Sequence, residues 1–259
     1  MTATQTQTAT PAELKQLARA IDHTKLTFGD GENETQAIET LCKEAVENNF
    51  YAVCVRPHHV GLSKKQLAKS AVKVATVIGF PKSKIELEAE RKQPTVGNFS
   101  TADKLSETRQ ALKDGADEFD LVLNVAQFKN ENGLPYEKTM AELHAIHEAA
   151  QGRPVKVIIE TDLLTDEEIE SATRLCVKAG VAMVKTSTGM VAGGKGATPE
   201  AVALIKKTIE SLNAATQIKA SGGVKTQRQA LDYLQQGVAR LGTSSGVSLV
   251  HAGESTTDY

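Results

Sequence analysis

The chain has 259 residues, enough for one large domain or two small ones, and single-domain α/β barrels reach this size. Hydrophobic residues make up 40%, charged residues 24%, and the formal net charge is −2. This composition is typical of soluble globular proteins and gives no electrostatic case for binding nucleic acid or an anionic membrane. The sequence has no run of roughly 18 apolar residues and begins with the polar stretch "MTATQTQTATPAE", so we expect a cytoplasmic protein.

Eight short apolar runs, separated by longer amphipathic stretches, follow a polar N-terminal extension at residues 1–12. Most of them are rich in Val and Ile and nearly continuous in apolar character, as expected for parallel strands covered on both faces. The predicted strands are "AIDHTKL", "YAVCV", "VKVATVIGF", "DEFDLVLNV", "VKVIIET", "VAMVKTS", "IKASGG" and "RLGTSS".

Helical patterns with clear start signals lie between these runs. In "TPEAVALIKKTIESL", Thr198 is a candidate N-cap followed by proline at the first helical position, and "TDEEIESATRLCVKAG" has acids in its first turn and ends in glycine. Eight repeats of strand and helix predict a single (β/α)8 TIM barrel domain over residues 1–259, in the α/β class. A doubly wound open sheet is the alternative, but no G-x-G-x-x-G follows the first strand.

One connection is longer than a crossover helix needs. Between the third and fourth predicted strands, Pro94 and Gly97 mark a turn within an additional stretch. We therefore predict an insertion at about residues 83–100, as a surface elaboration. The polar residues 252–259 are expected to form a flexible C-terminal tail.

Polar side chains lie at the carboxyl ends of several runs, where barrels carry their functional groups. Lys185 lies in the sixth run, Lys219 in the seventh and Asp120 in the fourth, and strand alternation places Val181 and Met183 on the same face as Lys185. Because strands six and seven would be neighbours, each lysine can lower the other's pKa, which favours a neutral amine that attacks carbonyls. A lysine that extends to solvent is the alternative.

Glycine-rich turns close the seventh and eighth runs. The motifs are "SGG" at 221–223 and "GTSSG" at 242–246, in the position where barrels often bind phosphate through backbone N–H groups. A phosphorylated substrate is therefore the leading interpretation. The loop "GMVAGGKGATPE" after the sixth run could cover a ligand.

Other candidates are weaker. His58 and His59 are adjacent but have no spaced partner in the sequence, so we predict a solvent-facing loop there and no metal site. Cys54 is expected to be a small buried hydrophobic residue. His144 and His147 share a helix face of mostly surface character and receive no role.

These residues also carry a family likeness from "IDHTKL" to "LGTSSG". The sequence resembles the deoxyribose-phosphate aldolases, class I enzymes with a TIM-barrel fold, through "GADEFDLVLN", "VKVIIET", "KTSTG" and "KASGGV", which appear in family order. The resemblance implies reversible cleavage of 2-deoxy-D-ribose 5-phosphate to acetaldehyde and D-glyceraldehyde 3-phosphate, with no metal and no cofactor. It implies that Lys185 forms the Schiff base and that Asp120 and Lys219 donate and accept protons.

Further positions follow from the same resemblance. Met190 and Lys225 stand where relatives can carry Lys and Arg, so phosphate affinity is expected to differ. Tyr259, the last residue, is a candidate for proton transfer if the tail folds over the barrel mouth. The substrate and phosphate positions are Asp22, Thr24, Cys54, Gly189, Gly222, Gly223, Gly242, Ser244 and Ser245.

Rival functions remain open at this point. They are another Schiff-base aldolase or transaldolase, a sugar-phosphate isomerase, and a barrel that binds a sugar phosphate without catalysis. The paired lysines favour an aldolase, because an isomerase needs a carboxylate base but no amine nucleophile. The expected partners are phosphorylated sugars and aldehydes, not nucleic acid or membrane, and a homodimer is left open.

Overall fold

Eight parallel strands close into a barrel in the computed structural model, which describes residues 9–81, 99–131 and 136–251. The strands follow chain order around the barrel, and the last pairs with the first. The predicted TIM barrel and all eight predicted strands are thus confirmed. The strands are β1 (Ile21–Lys25), β2 (Ala52–Val55), β3 (Lys73–Ile78), β4 (Glu118–Val122), β5 (Val155–Ile158), β6 (Met183–Lys185), β7 (Gln217–Ser221) and β8 (Arg240–Thr243).

Helices begin where the sequence supplies caps. Thr198 accepts a hydrogen bond from the backbone of Ala201, with Pro199 at the first helical position, and Thr165 forms a capping box with Glu168. The described helices are α1 (Pro11–Ala20), α2 (Glu34–Glu47), α3 (Val60–Gln66), α4 (Thr101–Lys113), α5 (Val125–Asn130), α6 (Glu137–Ala149), α7 (Asp166–Lys178), α8 (Pro199–Ser211), α9 (Gln227–Gln235) and α10 (Gly246–Val250). None of them is both long and apolar enough to cross a membrane.

Two apolar layers hold the barrel together. The larger lies between the outer faces of the strands and the surrounding helices. The smaller lies inside the barrel near its mouth and consists of Leu26, Ala52, Cys54, Ala75, Val77, Phe80, Val122 and Ile158. Because successive strand residues point to opposite faces, the same strands that supply the outer core direct every second side chain into the barrel.

Some sequence-based boundaries differ from the structure. α1 begins at Pro11, two residues inside the stretch taken as an N-terminal extension. Val181 packs in the outer core rather than on the face of Lys185, because β6 begins only at Met183 and strand alternation does not extend back to Val181. The predicted insertion at 83–100 falls almost wholly outside the described residues, as do residues 1–8 and the tail at 252–259.

Candidate active site

Lys185 and Lys219 lie side by side in the barrel. The register of β6 and β7 pairs the two residues directly, as the sequence predicted for neighbouring strands. Both amines donate to the same carboxylate oxygen, Oδ2 of Asp120, at 2.8 Å from Lys185 and 2.7 Å from Lys219. All three side chains are buried, with Lys185 4% exposed and the other two fully covered. The structure therefore brings the three predicted catalytic residues into one hydrogen-bonded group.

Three further charged side chains surround this group, and sequence reasoning missed them. Lys156 donates to Oδ1 of Asp120 at 2.9 Å and lies 2.7 Å from Oε2 of Glu118. Arg240 donates to Oδ1 of Asp22 at 2.7 Å and covers the ring of Tyr51. We call the connected set the interior network; its members are Asp22, Glu118, Asp120, Lys156, Lys185, Lys219 and Arg240.

The two neighbouring lysines have opposite electrostatic environments. Burial lowers the pKa of Lys185 below its usual value; Asp120 opposes this effect, and the positive charge of Lys219 adds to it. Burial also acts to lower the pKa of Lys219, but Asp120 and Asp22 together raise it above the usual value. The difference arises because Lys185 contacts one carboxylate of the interior network and Lys219 contacts two. Lys185 is thus the better candidate for a neutral amine.

The Asp120 carboxylate stays charged within the interior network. Burial acts to raise the pKa of Asp120, but Lys156, Lys185 and Lys219 hold it well below its ordinary value. The interior network contains four basic groups and three carboxylates. With Lys185 neutral, the remaining charges of the interior network balance.

The first two strands supply three residues predicted to bind substrate. Asp22 is fully buried, and its oxygens contact Lys156, Lys219 and Arg240, which makes it a member of the interior network. Sγ of Cys54 lies 4.0 Å from Oδ2 of Asp120. Burial raises the pKa of this thiol, and the nearby charge of Asp120 adds to the effect.

A cavity of about 470 Å³ lies beside the first strand. Thr24 and Ser244 line it, so two of the predicted substrate positions share one space. His23 and Glu44 line the same cavity, with Nε2 of His23 2.8 Å from Oε2 of Glu44. The cavity is therefore polar on several sides.

The motif "KTSTG" fixes the end of β6 through its hydroxyl groups. Oγ1 of Thr186 donates to the carbonyl of Ser221, and Oγ of Ser187 lies 2.9 Å from Oγ1 of Thr161. Thr188 donates its backbone N–H and its hydroxyl to the buried carboxylate of Glu160. These bonds join the chain after β6 to the chain after β5 and β7, which holds the backbone beyond Lys185 in place.

Glu160 holds this loop from an uncommon backbone conformation. Its φ is +60°, a left-handed value that side chains other than Gly, Asn and Asp seldom adopt. Burial raises the pKa of its carboxyl group, although the hydrogen bonds from Thr188 oppose this. Through its bonds with Thr188, the carboxyl group of Glu160 orders the loop that follows Lys185.

Glycines after β6 and β7 meet in one place. Gly189, Gly222 and Gly223 all have positive φ, between +72° and +83°. A Cβ on Gly222 would lie 3.0 Å from Cα of Gly196 and 3.4 Å from Cα of Gly189. The two loops can approach this closely only because these positions lack side chains, and their backbones become available to a ligand.

The predicted residues of β8 and its loop lie beside Lys219. A Cβ on Gly242 would lie 3.0 Å from Cε of Lys219, so the glycine makes room for that lysine. Oγ of Ser245 is buried and has no hydrogen-bond partner within residues 9–81, 99–131 and 136–251. A buried hydroxyl without a partner is costly, so Ser245 is suited to donate to a ligand oxygen. Met190 packs against the inner apolar layer.

The adjacent histidines differ from expectation. His59 is buried, not solvent-facing, because Phe28 packs edge-on against its ring. The sequence pattern showed no partner for the two histidines, but the structure places Glu34, 24 positions before His58, beside them. Oε2 of Glu34 lies 3.0 Å from Nε2 of His59. Tyr259 lies outside the described residues.

Comparisons with known proteins agree on one family. Residues 16–252 match the family described as DeoC/LacD family aldolase. Deoxyribose-phosphate aldolase 1 of Bacillus licheniformis is 43% identical over 246 residues, covering 95% of this chain and 99% of the relative. The deoxyribose-phosphate aldolase of Bdellovibrio bacteriovorus is 39% identical over 94% of this chain and its own full length. The tetrameric deoxyribose phosphate aldolase structure from Aeropyrum pernix, 26% identical, superimposes with a TM-score of 0.75 over 94% of this chain and 97% of that one.

Proposed function

The chain belongs to the DeoC/LacD family of aldolases, and we propose that it cleaves 2-deoxy-D-ribose 5-phosphate reversibly to acetaldehyde and D-glyceraldehyde 3-phosphate. The names of the two bacterial relatives, which align with at least 94% of this chain, support this substrate. The reaction proceeds through a Schiff base on Lys185.

The observation that carries the proposal is the contrast between the two adjacent lysines. Lys185 is buried and contacts one carboxylate, so its amine loses its proton more readily than that of Lys219. A neutral amine is the form that attacks an aldehyde carbon. Lys185 therefore acts as the nucleophile, and Lys219 stays protonated beside it.

The carbon–carbon bond breaks after the imine forms. The neutral amine of Lys185 adds to C1 of the open-chain sugar to give a carbinolamine. A proton supplied to the carbinolamine hydroxyl lets it depart as water, which leaves a protonated imine. The electron pair of the C2–C3 bond then moves into the imine as the C3 hydroxyl loses its proton, which gives an enamine and the aldehyde of glyceraldehyde 3-phosphate. Protonation at C2 and addition of water release acetaldehyde and restore the amine.

Asp120 and Lys219 move these protons. Asp120 contacts both amines through one oxygen, so it lies between the reacting nitrogen and a proton donor. Acid–base help of this kind is typically worth about 10²–10⁴-fold in rate. Lys156 contacts the other oxygen of Asp120 and acts as a positioning residue.

The glycines after β6, β7 and β8 form the proposed phosphate site. Their support is the close approach of Gly189 to Gly222 and the unpartnered hydroxyl of Ser245. Phosphate binding far from C1 would supply energy that orients the reacting carbon. The proposed residues are Gly189, Gly222, Gly223, Gly242, Ser244 and Ser245, with Thr24 and Cys54 on the side of the first two strands.

Three further expectations belong to the same proposal. Tyr259 would transfer a proton at the enamine carbon, which deletion of this residue tests through turnover and solvent-proton exchange. The protein would act in the cytoplasm on phosphorylated sugars and aldehydes. Sedimentation would decide between a homodimer and the tetrameric state named for the Aeropyrum pernix structure.

Reductive trapping tests the central claim. The full chain is incubated with acetaldehyde, reduced with borohydride and digested, and peptide mass spectrometry locates the ethyl group. The adduct is expected on Lys185. Lys185→Leu should abolish both the adduct and the release of acetaldehyde from the sugar phosphate. An adduct confined to exposed lysines would overturn the assignment.

The paired variant Lys219→Leu serves as the matched control. Both lysines are buried and donate to Asp120, and Lys219 also contacts Asp22, so Lys219→Leu disturbs the barrel at least as much as Lys185→Leu does. Lys219→Leu should still form the adduct on Lys185, at a reduced rate. A non-catalytic sugar-phosphate binder would bind its ligand equally well in native protein and in Lys185→Leu, and native protein would release no product.

A further inference from the structure

Two histidines and a glutamate meet at the rim of the barrel. Glu34 is the first residue of α2, which follows β1, and His58 and His59 end the short 3₁₀ helix that follows β2. Oε2 of Glu34 lies 3.0 Å from Nε2 of His59 and 3.5 Å from Nε2 of His58. One carboxylate oxygen thus faces two imidazole nitrogens, which belong to the loop after the neighbouring strand.

The spacing of these atoms matches a metal centre. One ligand atom from each residue can be chosen so that all three lie within 4.8 Å of one another. Tetrahedral zinc with bonds of about 2.0–2.1 Å places its ligand atoms roughly 3.4 Å apart. The two carboxylate–imidazole separations lie on either side of that value. We propose that Glu34, His58 and His59 bind one Zn²⁺ ion, with water in the fourth position.

The chemistry of the three groups favours zinc over calcium or magnesium. Imidazole nitrogen suits zinc, whereas calcium and magnesium prefer sets of oxygen ligands. The ring of His59 is held in place by burial and by edge-on contact with Phe28, at 5.2 Å between ring centroids. An ordered ligand loses little entropy on binding.

The proposed ion would connect the loops that follow β1 and β2. Thr24 and Cys54 lie near the ends of these same strands. Binding to the folded chain alone would raise its thermal stability as the zinc concentration rises. The site is separate from the Schiff-base lysine, so the proposal does not depend on the proposed reaction.

Calorimetric titration with zinc chloride tests the site. The full chain is freed of metal with a chelator, dialysed into a non-chelating buffer and titrated. We expect one zinc per chain and a rise in the temperature of unfolding. Glu34→Gln and His58→Gln change side chains that are at least half exposed, so both variants should fold. Each should weaken zinc binding by more than the roughly 10–100-fold that loss of an outer contact costs.

A double variant on α6 is the matched control. His144 and His147 are both exposed and lie three residues apart on one helix, so they offer an alternative pair of imidazoles. His144→Gln/His147→Gln should bind zinc as the native chain does. X-ray absorption of the zinc complex should show imidazole nitrogen and oxygen without sulfur. The proposal is overturned by no binding, by binding that survives in both Glu34→Gln and His58→Gln, or by a sulfur ligand.

Discussion

Replacing Asp120 with asparagine should damage both stability and catalysis. The carboxylate accepts hydrogen bonds from Lys156, Lys185 and Lys219 at 2.7–2.9 Å. An amide has one acceptor oxygen where the carboxylate has two, and its NH₂ group would face a buried ammonium. Removing one partner of a buried ion pair typically costs about 3–5 kcal/mol, because a charge remains buried without compensation.

Two assays measure the effect of this change. In a chain of this size, each kcal/mol lowers Tm by roughly 2–4 °C, so a fall of about 6–20 °C is expected by calorimetry. Turnover of the sugar phosphate should fall by about 10²–10⁴-fold, since Asp120 moves protons to and from the reacting nitrogen in the proposed reaction. Circular dichroism at low temperature checks that the variant is folded.

Asp232→Asn is the control with the same chemical change. Asp232 is partly exposed and pairs along its own helix with Arg228, and surface substitutions usually stay within about 0.5 kcal/mol. A fall in Tm of less than about 2 °C for Asp120→Asn would refute the reasoning. It would mean that Asp120 is not the counter-charge shared by the three lysines.

Three other predictions use different features. Because the pKa of Lys185 is lowered, its amine loses its proton at a lower pH than a free lysine does. The rate of borohydride-trapped adduct formation should therefore rise with pH and reach its plateau at a pH below about 10.4. A plateau reached at the same pH as for Nα-acetyl-lysine would contradict this. Gly222→Ala places a Cβ 3.0 Å from Cα of Gly196 at positive φ, so KM should rise more for the phosphorylated sugar than for 2-deoxyribose; equal rises would remove Gly222 from the proposed phosphate site. Lys104→Met leaves the buried Glu142 without the cation that lies 2.7 Å from its Oε1, so Tm should fall by about 6–20 °C, and Glu142→Leu in the same chain should restore most of it.

The sequence predicted the barrel because buried parallel strands leave a strong local pattern. Each strand is a short apolar run. Helix caps such as Thr198 can be recognised in the sequence because hydrogen bonds between near neighbours determine where the helix begins. Local patterns also located Lys185 and Lys219, since the carboxyl ends of neighbouring strands must lie together. The strand boundary before Met183 was less well defined, which is why Val181 was assigned to the wrong face.

The remainder of the site depends on distances across the barrel. Lys156 and Arg240 look like isolated charges in their own runs, and nothing near them in sequence indicates Asp120 or Asp22 as partners. Strand alternation offered one signal, because Glu118 is two residues from Asp120 and shares its face. Glu34 likewise joins the histidines only through the packing of two βα loops.

The charge balance of the interior network changes during the proposed reaction. With Lys185 neutral, the three other basic groups and the three carboxylates cancel. A protonated imine at Lys185 adds one positive charge to the interior network, which has no further carboxylate to compensate it. Flow of electrons from the breaking bond into the imine removes that charge from the nitrogen, and the network regains its balance once the proton from the C3 hydroxyl passes to solvent. The protein would therefore favour the neutral enamine over the imine that precedes it, in cleavage and in synthesis alike.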